Sequence, residues 1–280
     1  MNAVDHSSFT LNQCTAIITG ASSGLGAEFS SQLSLKASCL VLVARSADAL
    51  ESMAQKLRQG SPSLRVIVCP CDLATDAGRA ALWAKVDAEN VQPDVLINNA
   101  GLGDYGEFVQ ADARRIRQQI EVNITALTLL AHEFGRRVTA PARGFKPAAL
   151  LNLSSLASTL PIPELAVYAA TKAYVRSLSE ALAIELAPKN VKVLAVCPGP
   201  SPTNFGNTAR REGEPDIDRS KQSLIQVPPQ EVVSTSLHAL EMGKVRHFPG
   251  GRVALMAFVI EKTPRTLMRL FLRFRQHRKK

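Results

Sequence analysis

The sequence predicts an α/β fold, a single doubly wound domain on a mostly parallel sheet, and three observations carry that reading. Short, nearly all-apolar runs alternate with helical periodicity from residue 14 to residue 248. The first run leads straight into a glycine-rich turn that opens a helix. The residues that look chemical follow the ends of the runs, where an open α/β sheet binds its ligands. At 280 residues and 46% apolar, the chain can bury one core of this kind, and it shows no internal repeat or linker.

Residues 14–19 read as a buried strand, followed by Gly20, Ser22, Ser23, Gly24, Leu25 and Gly26 and then a helix to about residue 37. That order points backbone N–H groups and a helix N-terminus at a phosphate, although Gly20 and Gly24 would serve a tight turn equally well. A second strand, 39–44, ends at Ala44, Arg45 and Ser46. A carboxylate there would bond a ribose 2′-OH, whereas an arginine suits a 2′-phosphate, so Arg45 points to NADP over NAD.

A helix over 48–59 leads to a third strand, 64–71, closed by Asp72 and Leu73. Asp72 can accept from an adenine amino group or cap the helix expected over 77–89. Strand four, 94–97, ends in Asn98, Asn99, Ala100 and Gly101, which fit a cofactor-facing turn or an Asx turn. A long helical pattern over 114–137 holds Asn123, a poor mid-helix residue. It is either exposed or locally bonded, or it marks a bend that frees a carbonyl and holds water.

Strand five, 148–153, ends at Ser154 and Ser155, and Pro161 and Pro163 precede a helix over 167–186. Tyr168 and Lys172 lie one turn apart on that helix. A nearby ammonium favours the phenolate, so Lys172 is expected to lower the Tyr168 pKa and make it a general acid–base. Strand six, 191–196, runs into Pro198, Gly199 and Thr203. Residues 204–229 are polar and proline-punctuated and read as a substrate lid, before a helix over 230–242 and a last strand over 245–248.

These residues together resemble the short-chain dehydrogenase/reductase family over about residues 13–250. The resemblance rests on Thr19 with Gly20, Gly24 and Gly26, on Asn98 to Gly101, and on Asn123, Ser155, Tyr168, Lys172, Pro198 and Gly199. Ser155 precedes Tyr168 by 13 residues (168 − 155), the family's usual gap, which favours Ser155 over Ser154. The resemblance implies a Rossmann domain over 13–252, a catalytic tetrad of Asn123, Ser155, Tyr168 and Lys172, and a nicotinamide against Pro198 and Gly199 with Thr203 at its carboxamide. It implies that Lys172 holds the nicotinamide ribose and that Asn123 anchors a proton-relaying water. The expected activity is hydride transfer from NADPH to a ketone or aldehyde. Oxidation of an alcohol, or a non-catalytic dinucleotide sensor, are the alternatives. Leu102, Leu156, Ile162 and Phe205 near the expected pocket suggest an apolar substrate, and a homo-oligomer is the default for the family.

The net charge of +9 is local. Residues 265–280 carry seven Lys/Arg and no acid, leaving 33 − 7 = 26 bases against 24 acids elsewhere, so a basic nucleic-acid groove is not expected. In this helical extension, 253–280, Leu267, Leu270, Phe271 and Phe274 form one apolar stripe opposite Arg265, Arg269 and Arg273. Such a helix suits an anionic membrane surface, or it packs on its own domain or a partner subunit. No apolar run is long enough to span a bilayer, and residues 1–13 lack the pattern of a secretion signal. The five cysteines, Cys14, Cys39, Cys69, Cys71 and Cys197, lack zinc spacing and read as thiols in a reducing cytoplasm.

Overall fold

A computed structural model describes residues 9–144, 146–203, 205–211 and 225–277, with side chains up to residue 274 and excepting Asn207. The expected lid, 204–229, therefore lies within the described residues only at 205–211 and 225–229. The expectation for the N-terminus falls inside them only at residues 9–13.

Seven parallel strands form one sheet in the order β3-β2-β1-β4-β5-β6-β7. They are β1 (Thr15–Thr19), β2 (Cys39–Ala44), β3 (Arg65–Pro70), β4 (Val95–Asn98), β5 (Ala148–Leu153), β6 (Val191–Val196) and β7 (Arg246–His247). The helices between them are α1 (Gly24–Leu33), α2 (Ala47–Gly60), α3 (Asp76–Ala88), α4 (Ala113–Ile120), α5 (Leu127–Val138), α6 (Ala166–Leu186), α7 (Phe205–Ala209) and α8 (Pro229–Glu241). Two more, α9 (Gly251–Lys262) and α10 (Arg265–His277), follow the last strand.

The central strands are apolar on both sides because both sides are covered. Ala16, Ile18 and Leu42 face Phe29 and Leu33 of α1 and Val233 and Leu237 of α8. Ile17, Val41 and Leu96 face Leu82 and Val86 of α3 and Leu130 and Phe134 of α5.

The long helix expected over 114–137 is interrupted. A π-helical stretch, Glu121–Ala126, joins α4 to α5 and contains Asn123. The boundary expected at residue 252 falls inside α9, whose Val253 and Ala257 are buried with Leu156, Val227 and Val232. Among the described residues no helix is long and apolar enough to cross a membrane.

Candidate active site

Strand order reverses between β1 and β4, so a crevice opens beyond their carboxyl ends. Asn99 ties its two walls together. Its Nδ2 donates to the carbonyls of Thr19 (2.8 Å) and Gly20 (3.3 Å), while Thr19 Oγ1 accepts from the N–H groups of Asn99 and Ala100, both at 3.0 Å. The Asn98–Gly101 stretch is therefore more than a local Asx turn: it fastens the glycine turn to β4.

Glycine is required at two places in that turn. A Cβ on Gly20 (φ +66°) would stand 2.8 Å from Asn99 Nδ2, and one on Gly26 would stand 2.1 Å from the Gly20 carbonyl oxygen. Gly24 (φ +56°) has more room, with Thr203 3.5 Å from its Cβ position. Ser23, at the N-cap of α1, makes no side-chain cap bond. The first N–H groups of α1 thus remain available to an anion. Ser22 is half-buried beside them, and Leu25 packs on the core.

Arg45 is exposed at the end of β2, and among the described residues no hydrogen bond or ion pair engages it. Ser46 caps α2 by accepting from the Ala49 N–H. Asp72 does not cap the following helix. Its Oδ1 accepts from Ala74 N–H at 3.0 Å, and Thr75 caps α3, because the turn places Thr75 next to the helix start. Leu73 is buried beneath this turn. A glycine cradle, an uncapped helix start and a free guanidinium make a donor set that fits a dinucleotide with a phosphorylated ribose.

Deeper in, the structure brings Ser155, Tyr168 and Lys172 together. The Ser155 hydroxyl accepts from Ala157 N–H, starting a short 3-10 turn (Leu156–Thr159), and it acts to lower the pKa of Tyr168. Ser154 instead donates to the Lys172 carbonyl, so it is a strut. Lys172 is buried, with Nζ donating to the Leu153 carbonyl at 2.7 Å, and Nζ and Asn123 Oδ1 both border Gly101. Asn123 is neither exposed nor locally bonded. It clamps both ends of the Leu102 backbone, accepting from its N–H (2.8 Å) and donating to its carbonyl (2.9 Å), and donates to Thr171 Oγ1 (3.0 Å).

The electrostatics correct one expectation. Tyr168 is not lowered: burial raises its pKa to about 12, against a smaller lowering from Ser155. Burial lowers Lys172 to about 8. The Lys172 ammonium is committed to the Leu153 carbonyl and lies 5.8 Å from the centroid of the tyrosine ring.

Pro198 and Gly199 border this centre. The Pro198 carbonyl accepts from Leu156 N–H, and a Cβ on Gly199 would meet Val253 at 2.8 Å. Leu156 is buried in the core with Val253. Thr203 turns back on Ser201 and accepts from Phe205 N–H.

Sequence reasoning expected a lid over 204–229 and Phe205 near the pocket, but missed what anchors them. The Phe205 ring of α7 lies 5.5 Å from that of Tyr168. Asp104, on the loop after β4, is buried and receives Arg211 in a two-pronged pair (Nη2–Oδ2 2.6 Å, Nε–Oδ1 3.0 Å) and Arg115 at 3.2 Å. Tyr105 N–H donates to Ala209, and the Tyr105 hydroxyl to Glu164, at 2.7 Å. The signal available was the unusual pair of glycines, Gly103 and Gly106. Side chains there would strike Phe205, Ala209 and Arg211.

A dinucleotide crevice with a tyrosine, a serine and a lysine converging at its floor defines an oxidoreductase acting on alcohol or ketone groups. The family model for short chain dehydrogenases matches residues 14–214, and the chain belongs to that family. A short-chain dehydrogenase from Sphingobium yanoikuyae, solved with NADPH, is 31% identical at TM-score 0.75, covering 91% of this chain and 95% of that one. A bulky-bulky ketone specific alcohol dehydrogenase from Comamonas testosteroni is 30% identical at TM-score 0.74, covering 92% and 94%. A very-long-chain 3-oxoacyl-CoA reductase from Podospora anserina is 36% identical over 64% of this chain, and the match spans about half, 52%, of that protein's length.

Proposed function

We propose that this chain is an NADPH-dependent reductase of ketones or aldehydes, with Tyr168 as the proton donor. The observation that carries the reading is the meeting of Tyr168 with the Lys172 ammonium, 5.8 Å from its ring centre, while burial keeps the Tyr168 hydroxyl protonated well above neutral pH. When bound, the nicotinamide supplies hydride. The chain's own groups do the rest. Two hydroxyl donors, Ser155 and Tyr168, meet the carbonyl oxygen as charge develops on it, each contributing about 10²–10³ in rate. Tyr168 gives up its proton, and the Lys172 ammonium, close beneath the ring, offsets the phenolate left behind.

The cofactor assignment rests on Gly20, Ser22, Ser23, Gly24, Leu25 and Gly26 for the pyrophosphate, and on Arg45 and Ser46 for the 2′-phosphate. Asp72 and Leu73 suit the adenine, while Asn99, Ala100, Gly101, Pro198, Gly199, Thr203, Tyr168 and Lys172 surround the nicotinamide end. The NADPH held by the Sphingobium neighbour supports this choice.

The substrate we infer is apolar and bulky. The Phe205–Tyr168 aromatic pair supports that, as do the ketone named for the Comamonas enzyme and the acyl chain named for the Podospora one. A homo-oligomer is supported by an apolar hollow of about 330 Å³ between α4 and α6, bordered by Phe108, Ile120 and Val167. A reducing cytoplasm suits five cysteines that are all free.

The test is NADPH oxidation across a panel of carbonyls. Tyr168→Phe is expected to lower turnover by about 10³-fold or more while NADPH still binds. Wild-type turnover in that variant would end the assignment. Arg45→Asp is expected to shift the NADPH-to-NADH ratio of kcat/KM by about 10- to 10²-fold, and an unchanged ratio removes Arg45 from the site.

A further inference from the structure

Large apolar side chains on a folded surface are normally scattered. Here, of the 18 that are exposed among the described residues, eight lie on α9 and α10. The first of these helices is firmly seated. Its inner face buries Val253 and Ala257, and Glu261 near its end pairs with Arg176 of α6 (2.8 Å) and Arg246 of β7 (2.9 Å). Its outer face presents Leu255, Phe258 and Val259 to solvent, with the Lys262 ammonium over the Phe258 ring. The second helix adds Leu267, Leu270, Phe271 and Phe274, each 60–69% exposed.

Charge selects the occupant. Residues 265–280 hold seven Lys/Arg and no acid, while the rest of the chain is close to neutral. A second copy with α10 laid on α10 would bring like-charged helices together with no carboxylate on either to pair them. An anionic bilayer surface offers the acyl region for the apolar stripe and headgroup phosphates for the arginines. We propose that α9 and α10 form a docking surface for an anionic membrane, on which the protein lies without spanning it.

The placement has a consequence for the site. Val253, on the inner face of α9, fills the space against Gly199 and packs on Leu156. The docking helix thus backs the Pro198–Gly199 turn.

The test is flotation of the full chain with vesicles of phosphatidylcholine alone and of phosphatidylcholine mixed with phosphatidylglycerol. The wild type is expected to float with the anionic vesicles, less at high salt, and to stay behind with the neutral ones. Arg269→Gln with Arg273→Gln should weaken that binding about 30-fold, and Leu270→Asp with Phe271→Asp about 10²-fold or more. These positions are exposed, and retained NADPH binding shows that each variant is folded. The proposal is overturned if the wild type does not float with anionic vesicles, or if either double variant floats as well as wild type. It is equally overturned if the variants instead dissociate an oligomer, or abolish binding to duplex DNA, while vesicles are ignored.

Discussion

The two ends of the crevice are built by different means. At the cofactor end the backbone does the work: Gly20 and Gly26 allow a turn folded on itself, and Asn99 fastens it to the neighbouring strand. At the substrate end distant side chains do it. Asp104 and Arg211 are 107 residues apart in sequence, and their buried pair holds α7 where Phe205 meets Tyr168. The first kind of construction tolerates almost no change in residue type and serves a fixed ligand. The second can be retuned one side chain at a time, which suits an end that must match a particular substrate.

Breaking the cofactor end should have the larger effect. A methyl group at position 26 would overlap the Gly20 carbonyl, so Gly26→Ala must move the turn. It is expected to weaken NADPH binding by about 10²-fold, measured by titration of cofactor fluorescence. Unaltered affinity would mean that the turn does not hold the phosphates.

At the substrate end, Arg211→Ala leaves the Asp104 carboxylate buried with Arg115 as its one charged partner among the described residues. The expected result is a fall of about tenfold in kcat/KM for the carbonyl as α7 loosens, with NADPH affinity unchanged. A loss of NADPH affinity of the same size would show that the two ends are not separable.

The smallest effect is a pH limb. The kcat/KM for NADPH reports ionisations of the free enzyme. Burial depresses Lys172 from the ordinary lysine range to about 8, so its ammonium is present below that pH and lost above it. Tyr168 keeps its proton to about 12. The reduction rate should therefore be level below about pH 7 and fall as pH rises through about 8. A profile level up to the usual lysine range would show that Lys172 is not so depressed or its charge not required.

The same contrast explains what the sequence reveals. Strands buried on both sides leave unbroken apolar runs, and a turn that needs glycine leaves glycine, so β1 to β6 and the phosphate turn are legible. Tyr168 and Lys172 are legible because a helix turns their spacing into proximity. The direction of the Tyr168 shift is not, because burial is a tertiary fact that outweighs a helical neighbour. Asp104 with Arg211 leaves no periodic mark at all. The interruption at Asn123 shows only as a poor helix former, whereas its partner, the Leu102 backbone, lies 21 residues upstream.

Gly199 and Val253 also fix how short the chain can be made. Removing α9 after β7 would open Leu156, Val227 and Val232 to water and take away the prop behind the Pro198–Gly199 turn. Cutting after Lys262 would leave that prop in place. The smallest self-sufficient version of this protein therefore ends at the close of α9, past its last strand.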